Sequence, residues 1–289
     1  MSELVTVTDV KAELGEGPIW HLDTLYWIDI LGKTVYSYQP KDDTLSEYPI
    51  DQYIGTIVPR QSGGLVMALQ EGFYFLDTDS GKLTSIADPE EHIPDNRFND
   101  GKCDPAGRFW AGTMAQDHHA DAGHLYMMDN DLVVMKKFGP VSISNGLCWS
   151  LDNTTMYYID SPTRKVLAFD YNNETGDISN PAECIRFSEK DGYPDGMTID
   201  CKGNLWIARW DGWSVGCYNP TTGELIEKID VPAQQVSACA FGGENLDTLY
   251  ITTAQEDFTE QQRQEQPLAG RLFQIKPGVR GVPSFAFAG

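Results

Sequence analysis

A short pattern recurs six times along the 289 residues of the chain. Each copy is a turn bearing Gly, Asp or Asn, then an apolar-aromatic run of three to five residues, then a second strand-like run. Copies include Asp23-Thr24-Leu25-Tyr26-Trp27-Ile28, Ala106-Gly107-Arg108-Phe109-Trp110-Ala111 and Lys202-Gly203-Asn204-Leu205-Trp206-Ile207. With Leu25, Leu65, Phe109, Met156, Leu205 and Leu249 as anchors, successive gaps run from 40 to 49 residues. A unit of about 45 residues made of several short strands is the signature of a β-propeller blade. Helical solenoids have similar periods, but they need apolar residues at helical spacing, and these runs are β-branched and aromatic instead. The expectation is an all-β, six-bladed β-propeller with a central channel, a single domain over residues 1–289. Val5-Thr6-Val7 is expected to complete the last blade, because closing the ring removes exposed strand edges.

Composition narrows the function. Forty-three acidic residues against 21 Lys and Arg give a formal net charge of −22, which repels nucleic acid and anionic membrane surfaces alike. No apolar run approaches the roughly 20 residues of a membrane-spanning helix. The first residues carry neither a basic stretch nor an apolar stretch of a secretory signal, so a cytoplasmic location is expected. The six cysteines form no Cys-x-x-Cys pair, which argues for reduced, mostly buried thiols. The five histidines form no His-x-His and no His-Glu-x-x-His. A metal here must be held by oxygen.

The innermost strands of a propeller line its channel, so equivalent positions on different blades face one another. About ten residues before each anchor, four of the six units place an oxygen-bearing side chain shortly before a glycine: Glu16, Asn99, Asn145 and Asp195. The units anchored at Leu65 and Leu249 have Ile54-Gly55-Thr56 and Ser237-Ala238-Cys239 at this phase and offer no carboxylate. Two carboxylates and two amides suit a hard divalent cation. Any one Asn-Gly or Asp-Gly pair is commonly a hairpin turn. The shared phase is what favours a site, and Pro94 and Pro194 ahead of Asn99 and Asp195 suggest loops entering the channel. Arg97 suits either a hydroxylated or anionic substrate or a salt bridge. Trp210 and Trp213 suit a stacking wall or blade packing, and the polar loop 116–123, with His118 and His119, suits either a cover for the channel mouth or a solvated loop.

Several ordered motifs resemble the SMP-30/gluconolactonase (regucalcin-like) family. They are Leu14-Gly15-Glu16-Gly17-Pro18-Ile19-Trp20, Asn96-Arg97-Phe98-Asn99-Asp100-Gly101-Lys102, Ala111-Gly112-Thr113-Met114, Ser144-Asn145-Gly146-Leu147 and Gly192-Tyr193-Pro194-Asp195-Gly196-Met197. The resemblance implies a lactonase opening sugar lactones, with one divalent metal ion in the channel. It implies Glu16, Asn145 and Asp195 as metal ligands, Asp195 also as general base, Arg97 as a substrate-binding residue and Asn99 as a neighbour of metal and substrate. The loop after Met114 departs from animal relatives, and Asp117 is expected there as a replacement for their acidic substrate contacts. Ca²⁺ is the expected ion, and oxygen ligands also admit Mg²⁺, Mn²⁺, Fe²⁺ and Zn²⁺. Two other functions fit the same reading: a calcium-dependent phosphotriesterase, and a non-catalytic propeller whose metal is structural.

Overall fold

The computed structural model describes residues 3–289. Its strands form six four-stranded antiparallel sheets, the blades of a β-propeller. The innermost strands, in blade order, are Gly15–His21, Ile54–Pro59, Asn96–Cys103, Ser144–Trp149, Tyr193–Ile199 and Gln235–Gly242. All six sequence anchors lie on the second strand of their blades, and each is at most 1% exposed. That strand is paired on both edges and covered on both faces, so a continuous apolar run is the composition it needs.

The hydrophobic core is divided among the flanks of the blades. Six buried clusters fill the six gaps between neighbouring blades, including the gap between the last blade and the first. Trp110 and Trp206 hold corresponding places on the second strands of the third and fifth blades, Trp27 lies one residue further along that of the first, and all three are fully buried. In the third and fifth blades the indole nitrogen donates to an aspartate of the preceding turn, Asp104 or Asp200.

Two closures hold the ring. Val5–Thr6 pairs with Phe273–Gln274 as the outer strand of the sixth blade, as expected from the sequence. The second closure was not foreseen. After Ile275 the chain pairs Gly281 with Asp200 of the fifth blade, then passes to the second and third blades. There Phe287 bonds through its backbone to Pro59 and Gln61, Ala288 donates to Gly107, and the Phe287 side chain is fully buried. Residues Val282–Phe285 of this strap line a cavity with Lys102, Cys148 and Thr198, residues of the inner strands.

One short helix, Glu260–Glu265, follows the second strand of the sixth blade, with Thr259 and Gln262 forming a capping box. No helix among the described residues is long and apolar enough to cross a membrane. All six cysteines are free, four of them buried.

Candidate functional site

Each inner strand slips register against its neighbour at the same level. The breaks fall at Glu16/Ile19, Ile54/Thr56, Phe98/Asp100, Ser144/Leu147, Pro194/Met197 and Val236/Ala238. A bulge leaves residues out of the ladder and re-aims their side chains. Asn99, Asn145 and Asp195 lie within these breaks, and Glu16 lies at the edge of its own. The Asn-Gly and Asp-Gly pairs are therefore strand bulges, not hairpin turns. Pro194 likewise lies in a strand, not in a loop entering the channel. An innermost strand has an unpaired edge, where a residue without an N–H is tolerated.

The glycines after the ligand-type residues have a steric cause. A Cβ on Gly146 would sit 2.5 Å from the Asp195 carbonyl oxygen, and one on Gly196 would sit 2.4 Å from Ala238 Cβ. Neighbouring inner strands approach too closely around the channel for any side chain there. The second and sixth blades lack an acidic residue at this level and use it to tie neighbours together. Thr56 donates to Gly101 O at 3.0 Å, and Ser237 donates to Gly15 O.

Glu16, Arg97, Asn99, Asn145 and Asp195 all line one cavity of about 290 Å³, and each is at least nine-tenths buried. Leu14, Ile30, Met114, Ile143, Pro162, Tyr193 and Trp210 supply apolar wall, and His118, Ser161, Asp211 and Glu256 add polar groups. Trp213 is 43% exposed and lies outside the lining. Asp117 is not brought to the cavity. Its side chain is 76% exposed and holds His119 Nδ1 at 2.6 Å, and it is His118 that reaches the wall.

Hydrogen bonds fix the polar side chains. Arg97 Nη1 donates to Phe98 O at 3.0 Å and to Asn99 Oδ1 at 2.7 Å, while Asn99 Nδ2 donates to Ser144 O. Arg97 makes no ion pair among the described residues, although the charge of Glu256 acts on it. Burial pulls its guanidinium down to about 10, which leaves it cationic at neutral pH. Glu16 Oε2 accepts from Gly17 N at 2.6 Å, and Asp100 Oδ1 accepts from Gly101 N at 2.6 Å. Asn145 Nδ2 donates to Ser161 Oγ at 2.9 Å, and Asn145 Oδ1 is buried with no hydrogen-bond partner.

Two of the buried carboxyls are held well above their ordinary range. Burial, then the charge of Asp100, pushes Glu16 up to about 8. Burial, then the charges of Glu16, Asp100 and Glu256, holds Asp195 well above the ordinary aspartate range. Two buried carboxylates and an orphaned amide oxygen are donors of the type that suits a hard divalent ion. Glu16, Asn145 and Asp195 thus fit such an ion in charge, donor type and unmet valence.

A family model described as SMP-30/Gluconolactonase/LRE-like region matches residues 14–255. The chain belongs to this family. Among SMP-30/gluconolactonase relatives, a Bacillus subtilis (strain 168) protein named as a candidate sugar lactone lactonase is 39% identical, over 99% of each chain. A regucalcin of Danio rerio is 39% identical over 96% of each chain. The crystal structure of a regucalcin from Agrobacterium tumefaciens, described as a calcium-binding protein, superposes with a TM-score of 0.94 at 27% identity. It covers 98% of this chain and 97% of its own.

Ser161, Asp211 and Glu256 were not found from the sequence, and His118 was found only as part of the loop 116–123. They share a signal nonetheless, because each follows its blade's anchor by five to nine residues, in the connection after the second strand. The shared-phase argument was applied only upstream of the anchors.

Proposed function

We propose that the protein is a divalent-metal-dependent lactonase that opens sugar lactones (aldonolactones) to aldonic acids. In this reading Glu16, Asn145 and Asp195 hold the ion, Asp195 is the base, and Arg97 and Asn99 hold the substrate. The observation that carries it is the partnerless Oδ1 of Asn145, buried in the same cavity as the carboxylates of Glu16 and Asp195. A buried acceptor left unmade costs about 1–3 kcal/mol, and a cation shared with two carboxylates removes that cost. The lactonase name of the Bacillus relative and the calcium-binding description of the Agrobacterium protein support the reading.

The cavity volume is near the lower end of the ordinary range for small-molecule sites, roughly 300–1,000 Å³, and suits a single sugar ring. When bound, the divalent ion supplies Lewis acidity at the lactone carbonyl oxygen. Asp195 takes the proton of the attacking water and returns it to the ring oxygen as the acyl C–O bond breaks. Contact with a cation lowers a carboxylate's proton affinity. Burial and the negative neighbours Glu16, Asp100 and Glu256 raise that of Asp195, which opposes the loss. Arg97, with Nη1 anchored on Asn99 and Phe98, turns its remaining donors to the ring hydroxyls. Trp210 and Tyr193 present apolar faces to the ring's C–H surface.

The test is proton release in weak buffer at neutral pH, with a panel of aldonolactones, on chelated protein with and without each divalent metal. Spontaneous opening is subtracted. Metal-dependent turnover is the expected result. Metal binding without turnover on any lactone overturns the lactonase reading, and phosphotriester turnover in its place moves the protein to that class.

A further inference from the structure

Ser161 opens the short 3-10 turn Ser161–Thr163, which follows the second strand of the fourth blade, and it is 7% exposed. Its hydroxyl donates to Pro194 O at 2.6 Å and accepts from Asn145 Nδ2 at 2.9 Å. These two bonds have a direction. A peptide carbonyl only accepts, and a serine hydroxyl has one proton. With that proton committed to Pro194 O, Ser161 Oγ faces Asn145 with lone pairs alone. The Asn145 amide must then turn its NH₂ toward Ser161, which leaves Oδ1 on the opposite side, buried and without a partner. Pro194 immediately precedes Asp195, so the same hydroxyl ties together the backbone of one acidic cavity residue and the side chain of its amide neighbour on the adjacent blade.

We propose that Ser161 is a positioning residue that sets the polarity of the metal site: by donating to Pro194 O it forces Asn145 to present oxygen, not nitrogen, to the cation. This rests on the metal-binding reading above. Without the hydroxyl the two amide orientations become closer in energy, and one of them points N–H groups at the ion. Removing a group that orients a metal ligand typically weakens affinity about 10- to 100-fold.

The experiment is calcium titration by calorimetry of the full chain after chelation, with thermal unfolding of each metal-free variant alongside. Ser161→Ala is expected to weaken Ca²⁺ affinity at least about 10-fold, while the metal-free variant still unfolds in a single cooperative transition. Ser161→Thr, which keeps a hydroxyl, is expected to restore most of the affinity, and a merely structural role for Ser161 would not give that pattern. A Ser161→Ala variant that binds Ca²⁺ like the wild type, while Asn145→Ala has lost binding, overturns the inference and leaves the metal site standing. Wild-type protein that binds none of Ca²⁺, Mg²⁺ or Mn²⁺ overturns both.

Discussion

Arg108 Nε lies 2.6 Å from Asp104 Oδ2, in an ion pair whose side chains are 6% and 0% exposed. The Asp104 carboxylate also accepts from Trp110 Nε1 at 2.9 Å and from the Tyr171 hydroxyl at 2.7 Å, and Arg108 Nη2 donates to that same hydroxyl. The cluster fastens the third blade to the fourth and lies outside the cavity lining. Removing one partner of such a pair strands the other charge in the interior, which costs about 3–5 kcal/mol. Asp104→Ala is therefore expected to lose stability on that scale in urea titration. Its kcat per folded molecule at low temperature should match the wild type.

Glu16 makes the chelated protein respond to pH in an unusual direction. Its carboxyl is raised from 4.5 to about 8, so the folded metal-free chain holds this proton more tightly than the unfolded chain does. The stability it contributes is present at low pH and falls as pH rises from about 4.5 toward 8. Bound cation reverses the preference, and binding near neutral pH expels the proton. Melting temperature in chelator should fall from pH 5.5 to 8 relative to the calcium-loaded protein. Titration in two buffers of different ionisation enthalpy should register proton release on calcium binding.

Asp195→Ala is expected to abolish lactone hydrolysis and to weaken metal binding together, since the proposed mechanism gives both roles to one carboxylate. A variant with wild-type calcium affinity and wild-type turnover removes Asp195 from the mechanism.

His118, not Asp117, is expected to matter for substrate. His118→Ala should raise KM several-fold, while Asp117→Ala, at an exposed position outside the cavity, should leave kcat/KM within about twofold. Steady-state kinetics on whichever lactone proves the best substrate checks both.

Gly146 and Gly196 should tolerate no side chain. The nearest atoms to a Cβ on Gly146 are backbone atoms of Asp195 and Met197, at 2.5 and 2.9 Å, and these cannot swing aside. Gly146→Ala is expected to cost about 1–3 kcal/mol or more and to displace Asp195 with it. Lower melting temperature and weaker calcium binding should appear in the same variant.

The second strand of every blade was legible in the sequence because it is buried on both faces and so reads as an apolar run. Outer strands such as Thr44–Pro49 and Leu225–Asp230 are largely exposed and follow no such rule. Glu16, Asn99, Asn145 and Asp195 were legible because the repeat fixes their level in the channel. His118 and Glu256 sit on connections of unequal length, where phase is blurred, and Asp117 and His118 differ by one residue in a loop with no periodicity to separate them. Ser161 looks like an ordinary turn residue until Asn145 and Pro194 are seen on either side of it. The helix Glu260–Glu265 did carry a signal in Thr259-x-x-Gln262, a capping box. The strap from Lys276 to Gly289 had none, since its bonds reach sites about 30 to 230 positions away.

The pairing of Val5 with Gln274 dictates an order of events for a chain made from its N-terminus. Five blades can be complete while the sixth is still unmade, and two flanks of the unfinished ring then stand open to water. One flank carries Leu25 and Trp27, and the other carries Trp206 and Val215, side chains that are all buried once the sixth blade is in place. Such long-range closure is slow, and the waiting intermediate is prone to aggregate. Yield in a host cell should therefore depend more on temperature and chaperone supply during synthesis than on how stable the finished ring is.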